Sequence, residues 1–407
     1  MIIEQRVKDF ENLGFGMFVH FGIYSVRGQG EWSYHLHKLT PPEYEPLATK
    51  FNPKADWAEK LVAAAKGAGC KYITLTTRHH DGFSLYDTCG LNDYDAPHFC
   101  GRDLVREFVD ACNAQGIIPF FYHTLLDWRE PSYKEDFPAY LKYLRRSVEI
   151  LCTNYGKIGG LWFDGMWDKP NENWEEDELY ATIRRNQPEC IIINNTGLHA
   201  LGQAGHLELD SVTYERGMPT KMPDDAPKYL AGEMCEVMNT HWGYAANDID
   251  YKSPAAMIRT LAGCRRYGAN LLLNLGPTED GSVRPIDACI LDLVGRWVSM
   301  FDEAIRLPRP TYLEVANKPD DFVLKHENTY YLFCDHLRIS GDTNVTIDDD
   351  NPLIDTFTVP EKVVSVKWMD TNEELAFKQE GDKLSVQTVP FRYGFNTVIR
   401  VVKIVCE

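Results

Sequence analysis

Between residues 15 and 305 the chain alternates short apolar runs with longer stretches in which apolar residues recur every three or four positions. The short runs suit buried strands, and the longer ones suit helices with one face on a core. Eight runs predict strands, over residues 15–22, 71–77, 117–124, 159–165, 190–195, 211–215, 232–238 and 270–276. Between them, "DWAEKLVAAAKGAG" (56–69) reads as a helix capped by Asp56 and closed by glycine, and "DLVREFVDACNAQG" (103–116) repeats the grammar. Residues 138–156 and 286–305 complete the helical pattern, while the crossovers from 196 to 230 are irregular.

Strand–helix repetition of this kind predicts an α/β fold, a (β/α)8-type (TIM-like) barrel. After Pro308 and Pro310 the helical period disappears and short alternating strands take over, as in "DFVLKHENTYYLFCD" and "NTVIRVVKIVCE". The expected organisation is therefore a barrel domain over 1–307 followed by a C-terminal all-β sandwich domain over 308–407. An acidic run at 347–350 is expected to be a solvated loop.

Charge narrows the partners. A formal net charge of -18 over 407 residues, without a basic run to override it, argues against nucleic acid and anionic membrane surfaces. The N-terminal residues contain no uninterrupted apolar core of a signal peptide, and no stretch is long and apolar enough to span a bilayer. The expectation is a cytoplasmic protein, or a secreted one if a leader was removed. Eleven cysteines stand singly without a CxxC pair, which favours buried free thiols.

In a βα barrel the chemistry lies at the C-terminal ends of the strands. Here those ends offer His20, His79 and His80, Tyr122 and His123, Trp162 and Asp164, Asn194 and Asn195, Tyr214 and Glu215, and Glu233. A metal site built from His20, His79, His80, His123 and Asp164 is disfavoured, because adjacent histidines on a regular strand point to opposite faces and no HxH or HExxH spacing occurs. A serine nucleophile elbow is absent. Glycoside hydrolysis accounts for the set best: carboxylates to act on the anomeric carbon, with imidazoles, amides and indoles to hold a neutral polyol.

With those residues in view, the chain resembles the α-L-fucosidases of glycoside hydrolase family 29. The resemblance rests on "FGMFVHFG", "GEWSYH", "YITLTTRHHDGFSLYDT", "RDLVREFVDACNAQGI", "FYHTLLDW", "LWFDGMWD", "HWGY" and "GANLLLNLGPTEDG", in the family's order. It implies a retaining, two-step hydrolysis of terminal α-L-fucosides on oligosaccharides or glycoconjugates, without cofactor or metal. Asp164 would be the nucleophile and Glu215 the acid/base, with Glu233 as the alternative. Sugar contacts would come from His20, Glu31, Trp32, His79, His80, His123 and Trp162. Where the family usually has an arginine after the asparagine pair, this chain has Thr196, and Arg216, beside the candidate acid, is the candidate to substitute for it in space.

Plainer readings stand beside these. Asp164 precedes Gly165 and fits a turn, Asp81 and Asp168 fit turn or supporting positions, and Trp167, Trp242 and Trp297 fit packing. A catalytically silent sugar-binding protein, or an exo-glycosidase for another sugar, would use the same barrel. Linkage and oligomeric state are not encoded in any motif.

Overall fold

The computed structural model of the chain describes residues 3–221, 228–340 and 352–407. The expected acidic loop at 347–350 lies outside the described residues. Contacts divide the chain into two compact units, Met1–Lys252 with Ala269–Asp292, and Ser253–Gly268 with Leu293–Glu407.

The first unit is a closed barrel of eight parallel strands in sequence order: β1 (Phe15–Val19), β2 (Tyr72–Arg78), β3 (Ile118–Thr124), β4 (Gly160–Asp164), β5 (Ile191–Asn194), β6 (Ser211–Glu215), β7 (Ala231–Val237) and β8 (Asn270–Leu275). All eight fall inside or within a residue of the runs read from the sequence. They are almost wholly buried because helices cover the outer face while aromatic residues fill the interior. Phe18, Tyr72, Phe120, Tyr122 and Trp162 share one core cluster with Val7 and Phe10 of the N-terminal helix Gln5–Glu11. That helix is fastened to β8, since Asn270 donates to the Phe10 carbonyl at 2.8 Å and accepts from the Gly14 N–H.

The helices Trp57–Gly67, Leu104–Gln115, Phe137–Asn154 and Glu176–Asn186 follow β1 to β4 in turn. Leu104–Gln115 starts as its sequence suggests, with Asp103 accepting from the Arg106 N–H, and stops at Gly116, whose φ of 72° is left-handed. Asp56 does not cap its helix; its carboxylate pairs with Lys60 at 2.6 Å instead. Among the described residues no helix lies between β5 and β7, so the irregular crossovers are loops, and one of them forms a wall of the site.

The second unit carries two antiparallel sheets. β9 (Arg309–Pro310), β10 (Phe322–His326), β11 (Thr329–Cys334), β13 (Val363–Trp368) and β16 (Arg400–Cys406) form one; β12 (Leu353–Thr358), β14 (Phe377–Glu380) and β15 (Lys383–Thr388) form the other. Leu332, Val366 and Val402 from the first meet Phe357, Leu384 and Val386 from the second in one buried cluster, which makes the pair a β-sandwich. The expected break at 307/308 does not coincide with the edge of this unit. It also takes in the helix Pro254–Arg266 and the later part of Pro285–Arg306, tied to the strands by Arg259 on Asp335 at 2.7 Å and the Trp297 indole on the Ile399 carbonyl at 2.9 Å.

Candidate active site

A cavity of about 620 Å3 opens at the C-terminal ends of the barrel strands, a volume suited to a small-molecule ligand. His20, Glu31, Trp32, His79, Trp162, Asp164 and Glu215, all named from the sequence, line it. Phe18, Tyr122, Trp167, Asn195, the segment Thr196, Gly197, Leu198 and His199, Arg216, Cys235 and Trp242 complete the wall.

Asp164 ends β4. Gly165 follows with φ at 101°, and a Cβ there would lie 2.9 Å from the Leu126 backbone nitrogen, so the tight exit from the strand requires glycine. The Asp164 carboxylate accepts from the Tyr122 hydroxyl at 3.1 Å, the Trp167 indole at 3.0 Å and the Asn195 amide at 3.2 Å, and faces His80 Nε2 at 3.4 Å. Burial alone pushes this carboxyl upward, but His80, Trp167 and Asn195 together hold it below the usual aspartate range. It is an anion surrounded by donors.

Glu215 ends β6 and accepts from the same Asn195 nitrogen at 2.9 Å. Burial, and then the negative charge of Asp164, push its carboxyl above the usual glutamate value. Because one nitrogen serves both groups, the two distances cap the separation of the bridged oxygens at about 6.1 Å, and an amide's fork of roughly 120° places them near about 5.3 Å. That lies in the window of about 5–5.5 Å typical of retaining glycosidases, and below the roughly 6.5–9.5 Å of inverting ones.

Glu233 lies outside the cavity lining. β6 and β7 run in register with Thr213 opposite Glu233 and Glu215 opposite Cys235, which puts Glu233 one layer deeper in the barrel. There it accepts from Trp162 Nε1 at 2.9 Å and from the Tyr72 hydroxyl, outside the cavity lining. Burial pushes it up to about 7.

The histidines divide by strand geometry. His20 is buried and pushed down to about 3, chiefly by that burial, so it is neutral. Its Nδ1 sits 2.7 Å from Asn274 Oδ1, and the Asn274 amide nitrogen donates to the Trp242 carbonyl at 2.7 Å. Nδ1 therefore carries the proton, and Nε2 is a bare acceptor suited to a sugar hydroxyl. β2 shifts register between Thr76 and Arg78, and beyond its end strict alternation lapses, so the adjacent His79 and His80 both serve the site. His79 stacks on Tyr122 at 5.7 Å and lines the cavity; His80 stands behind Asp164, with Nδ1 fixed on the Thr124 hydroxyl at 2.7 Å. His123, expected among the sugar contacts, lies outside the cavity lining. It follows the inward Tyr122 on β3 and so points outward, fully buried, with Nε2 2.7 Å from Ser147 Oγ on the helix Phe137–Asn154.

The rim is aromatic. Trp32 stacks on Trp167 at 5.8 Å with 21° between the rings and packs edge-on against Trp128 at 5.1 Å. Glu31 accepts from the Gly243 N–H at 2.7 Å, which ties the loop after β1 to the loop after β7. Trp167 and Trp242, which fit packing in the sequence, are cavity wall, and so are Asn195 and Arg216, for which no contact is read from the sequence. Thr196, in the position of the family's usual arginine, bonds the Ala200 carbonyl, while the Arg216 guanidinium lies 5.1 Å above the Trp242 ring and donates to the Thr240 carbonyl.

Comparison with known proteins places this geometry. The α-L-fucosidase family model matches residues 3–303. The tissue α-L-fucosidase of Mus musculus is 30% identical over 334 residues, 74% of this chain and 71% of that one. The α-L-fucosidase of Branchiostoma floridae is 26% identical over 402 residues, 88% of this chain and 85% of that one. The structure of α-L-fucosidase isoenzyme 1 from Paenibacillus thiaminolyticus superposes with a TM-score of 0.84 at 29% identity, covering 99% of both chains. The chain belongs to the α-L-fucosidase family.

Proposed function

We propose that the protein is a retaining exo-glycosidase that releases terminal α-L-fucose from oligosaccharides or glycoconjugates. The observation that carries this reading is the carboxylate pair: one carboxyl held below its ordinary range, the other pushed above it, bridged by one amide nitrogen that keeps their oxygens within about 6.1 Å.

In the first step Asp164 attacks the anomeric carbon while Glu215 gives its proton to the departing oxygen. The bond to the leaving group breaks, its electron pair goes to that oxygen, and Asp164 becomes a neutral ester. With the Asp164 charge gone, a principal cause of the raised Glu215 affinity for protons is removed. Glu215 is then a carboxylate poised to take a proton from water, which attacks the anomeric carbon and breaks its bond to the Asp164 oxygen, releasing the sugar and regenerating the Asp164 carboxylate.

Substrate recognition follows from the walls. His20 Nε2 accepts from a sugar hydroxyl, Glu31 and His79 offer further polar edges, and Trp32, Trp167 and Trp242 give apolar faces for the C–H side of a pyranose. Tyr122 and Trp162, stacked at 5.7 Å and paired on β3 and β4 one layer below Asp164, close the bottom. The test is NMR of aryl α-L-fucoside hydrolysis: α-L-fucose as the first product supports retention, and β-L-fucose overturns it.

A further inference from the structure

We infer that Asn195 is a positioning residue of the reaction, which sets the separation of Asp164 and Glu215 and holds whichever of the two carries the charge. The inference rests on the reading of those two residues as nucleophile and acid/base.

Asn195 is nearly fully buried at the exit of β5. Its orientation is fixed from behind: the carbonyl oxygen accepts from the Thr213 hydroxyl at 3.0 Å and from the Gly197 N–H at 3.2 Å. Thr213 Oγ1 itself accepts from the Thr196 N–H at 3.4 Å, so its own hydrogen is left for Asn195. With the carbonyl committed there, both amide hydrogens must face the cavity, and each meets one carboxylate. The neighbouring Asn194 points the other way, donating to the Tyr180 hydroxyl at 3.0 Å, so the role belongs to one member of the pair.

This arrangement suits a double displacement. Before attack the negative charge is on Asp164; in the glycosyl-enzyme it is on Glu215. A side chain with one donor fixed on each oxygen follows that transfer without moving, which is the preorganised form of electrostatic stabilisation. The other titratable or charged groups facing the pair are His20, Glu31, His80, Tyr122, Arg216 and Cys235. None of them bonds both carboxylates among the described residues.

The test is titration of Asp164 and Glu215 by 13C NMR in protein labelled at the side-chain carboxyls, assigned with Asp164→Asn and Glu215→Gln. In Asn195→Ala each anion loses a donor, so both midpoints rise, by about one pH unit. The bell-shaped kcat/KM profile on an aryl α-L-fucoside then moves as a whole to higher pH. Loss of packing alone would lower the rate and leave the limbs in place. Asn195→Asp keeps the shape and adds a third carboxyl group, so it raises both midpoints further and carries the test if the alanine variant does not fold. Unmoved midpoints in either folded variant overturn the inference. The titration needs no turnover, so a wild-type protein inert towards aryl α-L-fucosides would refute the proposed function separately.

Discussion

Trp167 donates its indole N–H to the Asp164 carboxylate at 3.0 Å, three residues before it in the chain. The short helical turn Met166–Asp168 makes this possible by folding the indole back over the strand end, where it also stacks on Trp32. A tryptophan that looks like packing in the sequence therefore holds the Asp164 carboxylate. Trp167→Phe keeps the stack and removes the donor. The expected result is kcat/KM lower by roughly tenfold, with the acidic limb of the pH profile shifted upward because the Asp164 anion has lost a partner.

The pH profile of the unmodified protein follows from the two carboxyl groups. Activity rises as Asp164 loses its proton, below the ordinary aspartate range, and falls as Glu215 loses its proton, above the ordinary glutamate value. The kcat/KM bell measured on an aryl α-L-fucoside should therefore have an acid limb below 3.8 and an alkaline limb above 4.5. An acid limb above the ordinary aspartate value would contradict the donor shell described around Asp164.

Glu215 and Glu233 separate cleanly by leaving group. Glu215→Ala should lose roughly 10²–10⁴-fold on a poorly departing alcohol and much less on an activated aryl group that needs no proton. Glu233→Gln keeps the contacts beneath the site and should stay within a few-fold of wild type on both.

Glu233 instead governs stability. Its folded value of about 7 lies above the ordinary 4.5, so the folded state holds the proton more tightly than the unfolded chain. That contribution is complete below about 4.5 and is lost as pH rises through about 7. Melting temperature should fall across this window in the wild type and fall less in Glu233→Gln, as followed by calorimetry in matched buffers.

His123→Ala should act on the fold and not on the sugar. The ring is fully buried against Ser147, so its removal leaves a cavity and takes one partner from the Ser147 hydroxyl, which keeps Tyr86. The melting temperature drops, while KM of the folded protein stays unchanged.

Much of this architecture is legible in the sequence because strand positions depend on local apolar runs, and Asp164 stands out because its run ends at a glycine exit. What is not legible is set by register. Two glutamates on neighbouring strands look equivalent until the pairing of Thr213 with Glu233 shows that one lies a layer lower. His123 was readable in principle, since an inward Tyr122 forces its neighbour outward. His79 and His80 defeat the same rule because they follow an irregular strand end. Asn195 and Trp242 acquire their roles only from side chains distant in sequence, which no local pattern reports.

The central claim is that Asp164 forms the covalent intermediate. The most direct measurement is inactivation with 2-fluoro-fucosyl fluoride followed by mass spectrometry of the proteolytic peptides. The account predicts a 2-fluorofucosyl ester on Asp164. An ester on Glu215 or Glu233, with Asp164 unmodified, would contradict it.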